Sequence, residues 1–243
     1  MVDSLGLLDA QATTWGLRLD DGRRERLMEY ARLLSSYGRA NVIGTRDVDG
    51  ILLDHVLDSL SCFLHGPLNR VRQLADVGSG GGLPGIPIKI VKPELATIFV
   101  ESTGKKAEFL RYAIGGLSLD GAEVANVRVE DLGRTRAHRG AYDVVTSRAV
   151  ARLSVVAEYC VPLFEIGGYA IAMKGWLKAE VLEEGERAVD KLGAKVVGIT
   201  KVPILSEVGD KERNLVILEK MQETPAQYPR RAGVAVRRPL GAG

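Results

Sequence analysis

The chain has 243 residues, 46% hydrophobic and 26% charged, an ordinary globular mixture long enough for one large α/β domain with additions. A formal net charge of +2 is too small to argue nucleic-acid binding by itself, and no uncharged apolar run reaches the roughly 18 to 20 residues that span a bilayer. Cys62 and Cys160 form no CxxC pair, His55, His65 and His138 show no zinc spacing, and the acid-containing N-terminus is no signal peptide; a reducing cytoplasm and a metal-free protein are expected.

Residues 3–37 predict two amphipathic helices. Leu5, Leu8, Ala12 and Trp15 recur at helical spacing, then Leu27, Tyr30, Ala31 and Leu34, with a break at Asp20-Asp21-Gly22. A third helix is expected over about 47–65, its apolar side formed by Val56, Leu57, Leu60, Phe63 and Leu64. Residues 1–65 thus read as an N-terminal helical cap without strands. Short apolar runs follow at 74–77, 96–100, 123–127, 142–146 and 168–173, alternating with helical segments at 84–91, 104–116, 152–163 and 176–193. That alternation implies βαβ units and a mostly parallel sheet. The last runs, 195–205 and 214–219, have no long helix between them and predict a hairpin-type pair, hence one antiparallel strand. An α/β domain is thus expected over 66–221 and a basic tail over 222–243, where Arg230, Arg231, Arg237 and Arg238 follow Glu223 without another acid. Such a tail is either a solvated end or a phosphate contact.

The strongest local signal is Asp76-Val77-Gly78-Ser79-Gly80-Gly81-Gly82-Leu83-Pro84-Gly85, between an apolar strand and a helix. Glycines there permit a tight turn and close approach of backbone to a ligand. The string also occurs at nicotinamide and flavin sites, and no Walker pattern accompanies it. Glu101 ends the next strand, where an acid can accept both ribose hydroxyls of a nucleoside; a solvated strand-end charge is the plain alternative. Ser102 follows it, and Lys105 and Lys106 read as the charged start of a helix. After the third strand come Arg128, Val129, Glu130 and Asp131, where a carboxylate can accept from an exocyclic amine. The fourth strand delivers Ser147 and Arg148 to the carboxyl edge of the sheet, where ligands collect and a guanidinium suits phosphate or a base edge. Lys174 follows the fifth strand and Arg213 precedes the last. Asn41, His55 and Asp58 are polar residues near the otherwise apolar face of the cap.

Taken together, these segments resemble the bacterial small-subunit ribosomal RNA guanine-N7 methyltransferase family, known as RsmG or GidB, over nearly the whole chain. The resemblance rests on the order of Asn41-Val42-Ile43, His55-x-x-Asp58-Ser59-Leu60, DVGSGGGLPGIP at 76–87, Glu101-Ser102 with Lys105-Lys106, Arg128-x-Glu130, TSRA at 146–149, MKG at 173–175, Glu212-Arg213-Asn214 and YPRRAG at 228–233. Asn-Val-Ile stands where the family commonly has Asn-Leu-Thr, and the tail after Gly233 lacks a common second proline. The resemblance implies a Rossmann-like class I S-adenosylmethionine-dependent methyltransferase fold over 66–221: a mostly parallel seven-stranded sheet with one antiparallel strand, plus the helical cap. It implies S-adenosyl-L-methionine as donor, S-adenosyl-L-homocysteine as product, and as acceptor N7 of a guanine in the 530 loop of 16S rRNA (position 527 in standard rRNA numbering), in free rRNA or a small-subunit particle. A monomer is expected.

Carried over by that resemblance, Asp76, Gly78, Ser79, Gly80, Leu83, Pro84, Glu101, Ser102, Val129, Glu130 and Arg148 are cofactor-side. Asn41, His55, Asp58, Arg128, Arg148, Lys174 and Arg213 are substrate-side or catalytic candidates. Guanine N7 carries a lone pair and no proton, so its attack on a sulfonium methyl needs no general base; the sequence shows no Ser/His/Asp triad or nucleophilic cysteine site. Arg128, Lys174, Arg213 and the four tail arginines are expected to form one basic surface around the cofactor pocket. Two other readings remain: a non-catalytic ribosome- or RNA-binding protein on the same scaffold, and an NAD-dependent oxidoreductase, which would share the glycine loop and Glu101.

Overall fold

The structure is a computed structural model that describes residues 3–204, 208–209 and 212–242, apart from the side chains of Pro67 and Asn69. The cap opens with α1 (Ser4–Thr14) and α2 (Asp21–Ser36). A third helical stretch runs through α3 (Val48–Ile51), a π-helical turn (Leu52–Leu57), α4 (Asp58–Leu60) and a 3-10 turn (Ser61–Leu64). All three begin alike: Asp3, Asp20 and Asp47 accept the backbone N–H of Gly6, Arg23 and Gly50, satisfying an otherwise orphaned donor of the first turn. On α2, Leu27, Tyr30, Ala31 and Leu34 are buried, the spacing of one helical face.

Beyond the cap lie β1 (Gln73–Val77), α5 (Gly85–Val91), β2 (Ala96–Val100), α6 (Gly104–Gly116) and β3 (Ala122–Ala125). Then come α7 (Val129–Leu132), β4 (Tyr142–Arg148), α8 (Leu153–Cys160) and β5 (Phe164–Lys174). The chain ends with α9 (Ala179–Lys191), β6 (Ala194–Lys201), β7 (Asn214–Lys220) and α10 (Val234–Arg237). The seven strands lie in the order β3-β2-β1-β4-β5-β7-β6. β1 is parallel to β2 and β4, and β4 to β5, whereas β7 runs antiparallel to both β5 and β6. The single antiparallel strand expected from the sequence is therefore β7.

The central strands are buried on both faces, which explains their near-continuous apolar runs. One core joins cap residues such as Leu8, Leu27, Tyr30 and Leu57 to Ile86, Phe99, Phe109 and Ile171. A second, on the opposite face, packs Val77, Val100 and Val145 against Leu153, Val156, Ala188 and Val189 of α8 and α9. The cap and the sheet thus share a core. Several strands depart from expectation in length. β6 ends at Lys201, whereas the expected run reached 205, which lies outside the described residues. β3 ends at Ala125, where the Asn126 side chain turns back to donate to the Glu101 carbonyl at 2.8 Å. β5 begins at Phe164 and passes through Gly167-Gly168 with a register shift against β4, between Tyr142 and Val144.

The described part of the tail, 222–242, is docked onto the domain. Arg139 donates to the carbonyls of Thr224 and Tyr228, and Arg134 to that of Pro229. The Arg230 guanidinium forks onto Glu158, whose side chain is wholly buried, with Nε–Oε1 at 2.9 Å and Nη2–Oε2 at 2.5 Å.

Candidate functional site

Strand order reverses between β1 and β4, where the crossovers leave to opposite sides and open a crevice at the carboxyl ends of the strands. Val77 of β1 lies in register with Ser147 of β4, so the glycine loop and the end of β4 emerge side by side. Backbone bonds from Gly78 N (2.9 Å) and Ser79 N (3.3 Å) to the Val100 carbonyl tie the loop to β2. Glu101, nearly buried, receives Gly80 N on Oε2 at 2.9 Å and Thr103 N on Oε1 at 2.7 Å.

Asp76 supports the loop from inside. Its carboxylate accepts from Thr146 Oγ1 at 2.7 Å and from Gly85 N at 3.3 Å, and its carbonyl accepts from Ser79 Oγ at 2.7 Å. Burial pushes this carboxyl up to about 6, against the hydrogen bonds that favour its charged form. Gly80 has φ +56°, and a Cβ there would meet nothing nearer than the Gly78 carbonyl at 3.8 Å. At Gly78, φ +69°, a Cβ would strike Val150 Cγ2 at 2.6 Å. The loop therefore offers bare backbone, which is what close approach of a nucleoside-bearing cofactor requires. Leu83 packs against the first core, and Pro84 is the residue before α5.

A cleft of about 220 Å³ faces this loop, walled by Gly78, Glu101, Ser102, Arg128, Val129, Glu130, Val150, Ala151, Tyr159 and Val236, among others. Glu130 is buried and accepts Gly233 N at 2.9 Å. Burial and Glu130 push the Tyr159 hydroxyl up to about 12. The carboxylate after the third strand thus also anchors the tail, and Val236 of α10 joins the wall.

A second cavity, about 480 Å³, shares Val150 and Ala151 with the cleft and adds Asp58, Arg148, Met173, Lys174, Gly175, Arg213 and Asn214. The cap meets the sheet edge here through an ionic cluster. Asp58 takes Arg148 Nε on Oδ2 at 3.0 Å and Arg213 Nε on Oδ1 at 2.9 Å. Arg213 Nη2 also reaches Asp54 Oδ1 at 3.3 Å. Arg148 Nη2 lies 2.7 Å from His55 Nδ1 and 3.2 Å from the Asp54 carbonyl. A guanidinium only donates, so His55 Nδ1 accepts, which places the ring proton on Nε2. Lys174 Nζ donates to the Ala151 carbonyl, and desolvation lowers its pKa.

His55 and Asp58 of the cap thus share one cluster with Arg148 and Arg213, which are distant in sequence, and Lys174 lies on the same cavity wall. Arg148 lines the second cavity. Asn41 is apart from them, in a third cavity of about 640 Å³ formed by residues 37–46 with Thr103, Lys105 and Lys106. The expected continuous basic surface is interrupted: Arg213 is spent on Asp54 and Asp58, Arg230 on Glu158, and Lys174 lies partly buried. Arg231, Arg237 and Arg238 remain exposed. Sequence reasoning missed Glu158, Tyr159, Val150 and Val236. Only Glu158 left a signal, as an acid inside the apolar helix Leu-Ser-Val-Val-Ala-Glu-Tyr-Cys.

Solved structures share this fold. The S-adenosylmethionine-dependent methyltransferase SibL, in its apo form, superposes with a TM-score of 0.57 over 82% of this chain and 70% of its own, at 14% identity. A variant of MtNAS in complex with S-adenosylmethionine gives 0.52 over 90% of this chain and 78% of its own, at 18% identity. At such identities the likeness is one of fold, and the fold is that of the class I S-adenosylmethionine-dependent methyltransferases. Within that class the chain belongs to the GidB family, rRNA small subunit methyltransferase G, whose model matches residues 23–216. A ribosomal RNA small subunit methyltransferase G of Rubrobacter xylanophilus is 55% identical over 96% of this chain and 90% of its own length. The protein of that name from Roseiflexus sp. is 43% identical over 94% of this chain and 97% of its own. Among the described residues no group of histidine, cysteine and acidic side chains could hold a metal, and no helix is long and apolar enough to cross a membrane.

Proposed function

We propose that this chain transfers a methyl group from S-adenosyl-L-methionine to N7 of a guanine in the 530 loop of 16S rRNA, releasing S-adenosyl-L-homocysteine. The observation that carries the proposal is the shared wall: the glycine-loop cleft and the cavity beside the ionic cluster meet at Val150 and Ala151. A donor in one and a base in the other would have their reacting atoms side by side.

The donor, when bound, supplies an electrophilic methyl on a sulfonium. The chain's part is to bind and orient. Gly78, Ser79 and Gly80 present backbone; Glu101 has lone pairs beyond those taken by Gly80 and Thr103, and these accept the ribose hydroxyls. Ser102, Val129 and Glu130 flank the adenine. Asp76, Leu83 and Pro84 hold the loop. In the second cavity, the nitrogen attacked must stay free, so the guanine is read at O6 and along its N1 and N2 edge. Lys174 Nζ and the Arg148 guanidinium are donors for O6, while Asp58, with His55 and Arg213, holds Arg148 in place. Arg128, in the wall of the glycine-loop cleft, and Asn41, in the third cavity, are further RNA contacts. Holding N7 in line with the methyl group supplies much of the rate, about 7–11 kcal/mol in favourable cases, and no proton has to be removed. The protein acts as a cytoplasmic monomer on free rRNA or a small-subunit particle.

The test is transfer of tritiated methyl from S-adenosylmethionine to small-subunit rRNA, with S-adenosylhomocysteine as competitor. Label in RNA, suppressed by the competitor, is expected; cofactor binding without transfer would favour a non-catalytic RNA-binding role.

A further inference from the structure

Trp176 stands out at the sheet edge that carries the site. It is 67% exposed, whereas the chain's other tryptophan, Trp15, is 9% exposed and donates its indole N–H to the Pro203 carbonyl at 2.9 Å. Trp176 comes two residues after Lys174 and directly after Gly175, both in the wall of the second cavity. Its exposure is imposed by the loop around it. On one side Asn214 Nδ2 holds the Gly175 carbonyl at 2.9 Å and is braced by Glu212 at 3.0 Å. On the other side Leu177 packs against the second core. The segment is pinned before and after the indole, and the ring is left in solvent. Among the described residues, its recorded ring contact is Lys178, whose Nζ lies 5.7 Å from the ring centroid. That ammonium lies beside an indole that is otherwise largely in solvent.

A large aromatic surface held in water beside a polar cavity is informative in a way that a scattered exposed aliphatic side chain is not. The functional reading supplies the ligand chemistry. A guanine delivered into the cavity must leave its stack, and the base next to it loses a stacking partner. Single-stranded RNA bases are bound by stacking on aromatic side chains, with nearby cations meeting the phosphates.

We propose that Trp176 is a stacking platform for an RNA base adjacent to the target guanine, with Lys178 at the neighbouring phosphate. The inference rests on the functional reading above, yet its test can succeed or fail separately. The probe is an unmethylated hairpin RNA with the 530-loop sequence, titrated into wild type, Trp176→Ala and Trp176→Phe, with filter binding and tryptophan emission as readouts. Trp176→Ala should weaken hairpin binding by about 5- to 150-fold, Trp176→Phe should recover most of it, and S-adenosylhomocysteine affinity should be unchanged in both. Wild-type emission should be quenched by the hairpin, while Trp176→Ala, left with buried Trp15, should show no quenching. Quenching without methyl transfer would leave the stacking role standing and overturn the functional reading. Unaltered hairpin affinity in Trp176→Ala with unquenched wild-type emission would overturn the stacking role. So would a defect seen with assembled small-subunit particles and absent with the hairpin, which would assign the indole to a protein contact.

Discussion

Replacing Asp58 by alanine removes the carboxylate that holds two guanidinium groups at once. Its oxygens lie 3.0 Å from Arg148 Nε and 2.9 Å from Arg213 Nε, and the three side chains are 9%, 17% and 11% exposed. At that burial, solvent screens the charges weakly, and truncating one partner of a buried ion pair costs about 3–5 kcal/mol because the remaining charge is left uncompensated. Asp54 stays within 3.3 Å of Arg213 and offsets part of the loss. The expected cost is therefore near the lower end, about 3 kcal/mol, or roughly 6–12 °C in melting temperature for a chain of this size. Thermal unfolding measures it, and a double-mutant cycle with Arg213→Met isolates the coupling. Because Asp58 orients Arg148 at the cavity wall, methyl transfer should fall even at temperatures where the variant is folded, with S-adenosylhomocysteine affinity retained. A stability loss below about 1 kcal/mol, the range of surface ion pairs, would refute the reasoning that this cluster pins the cap to the sheet edge.

Three further outcomes are expected. Glu101→Ala should weaken S-adenosylhomocysteine binding by about 1.5–3 kcal/mol, the range for hydrogen bonds to a charged group; calorimetry giving an unchanged dissociation constant would leave Glu101 as a brace for the Gly80 and Thr103 backbone only. Arg230→Met strands the buried Glu158 carboxylate and should cost about 3 kcal/mol of stability in denaturant unfolding, with little change in the salt slope of RNA binding; the reverse pattern would make Arg230 a phosphate contact. Burial raises Asp76 from an ordinary 3.8 to about 6, so the folded state keeps this proton after the unfolded chain has released it. Its contribution to stability is fully present below about 3.8 and is lost as pH rises through about 6. Asp76→Asn should flatten the stability profile across that window, and an unchanged profile would mean the carboxylate is better solvated than its surroundings suggest.

What could be read from the sequence was what is local. The glycine loop between an apolar strand and a helix, and Glu101 at the end of the next strand, are short-range patterns whose spacing follows from a βα turn and a βαβ unit. Helical periodicity placed α1, α2 and α6 for the same reason, and the missing helix before 214 marked β7 as the reversed strand. What could not be read was pairing across the chain. The Asp54–Arg213 contact joins residues 159 apart and Glu158–Arg230 joins residues 72 apart; no periodicity announces either. For that reason the tail arginines read alike in sequence, although Arg230 is an internal ion-pair partner and Arg237 is exposed. Glu130 could be placed near an adenine by resemblance, yet its bond to Gly233 depends on where the tail returns.

The central claim is a reaction at one nitrogen of one base, and N7-methylated guanine is chemically distinctive: borohydride reduction followed by aniline cleaves RNA at it. Unmethylated small-subunit rRNA or particles, incubated with the protein and S-adenosylmethionine and then so treated, should be cut at a single guanine in the 530 loop, and left uncut when the cofactor is omitted. Methyl label in the RNA without that cut, or a cut at some other guanine, would contradict the account.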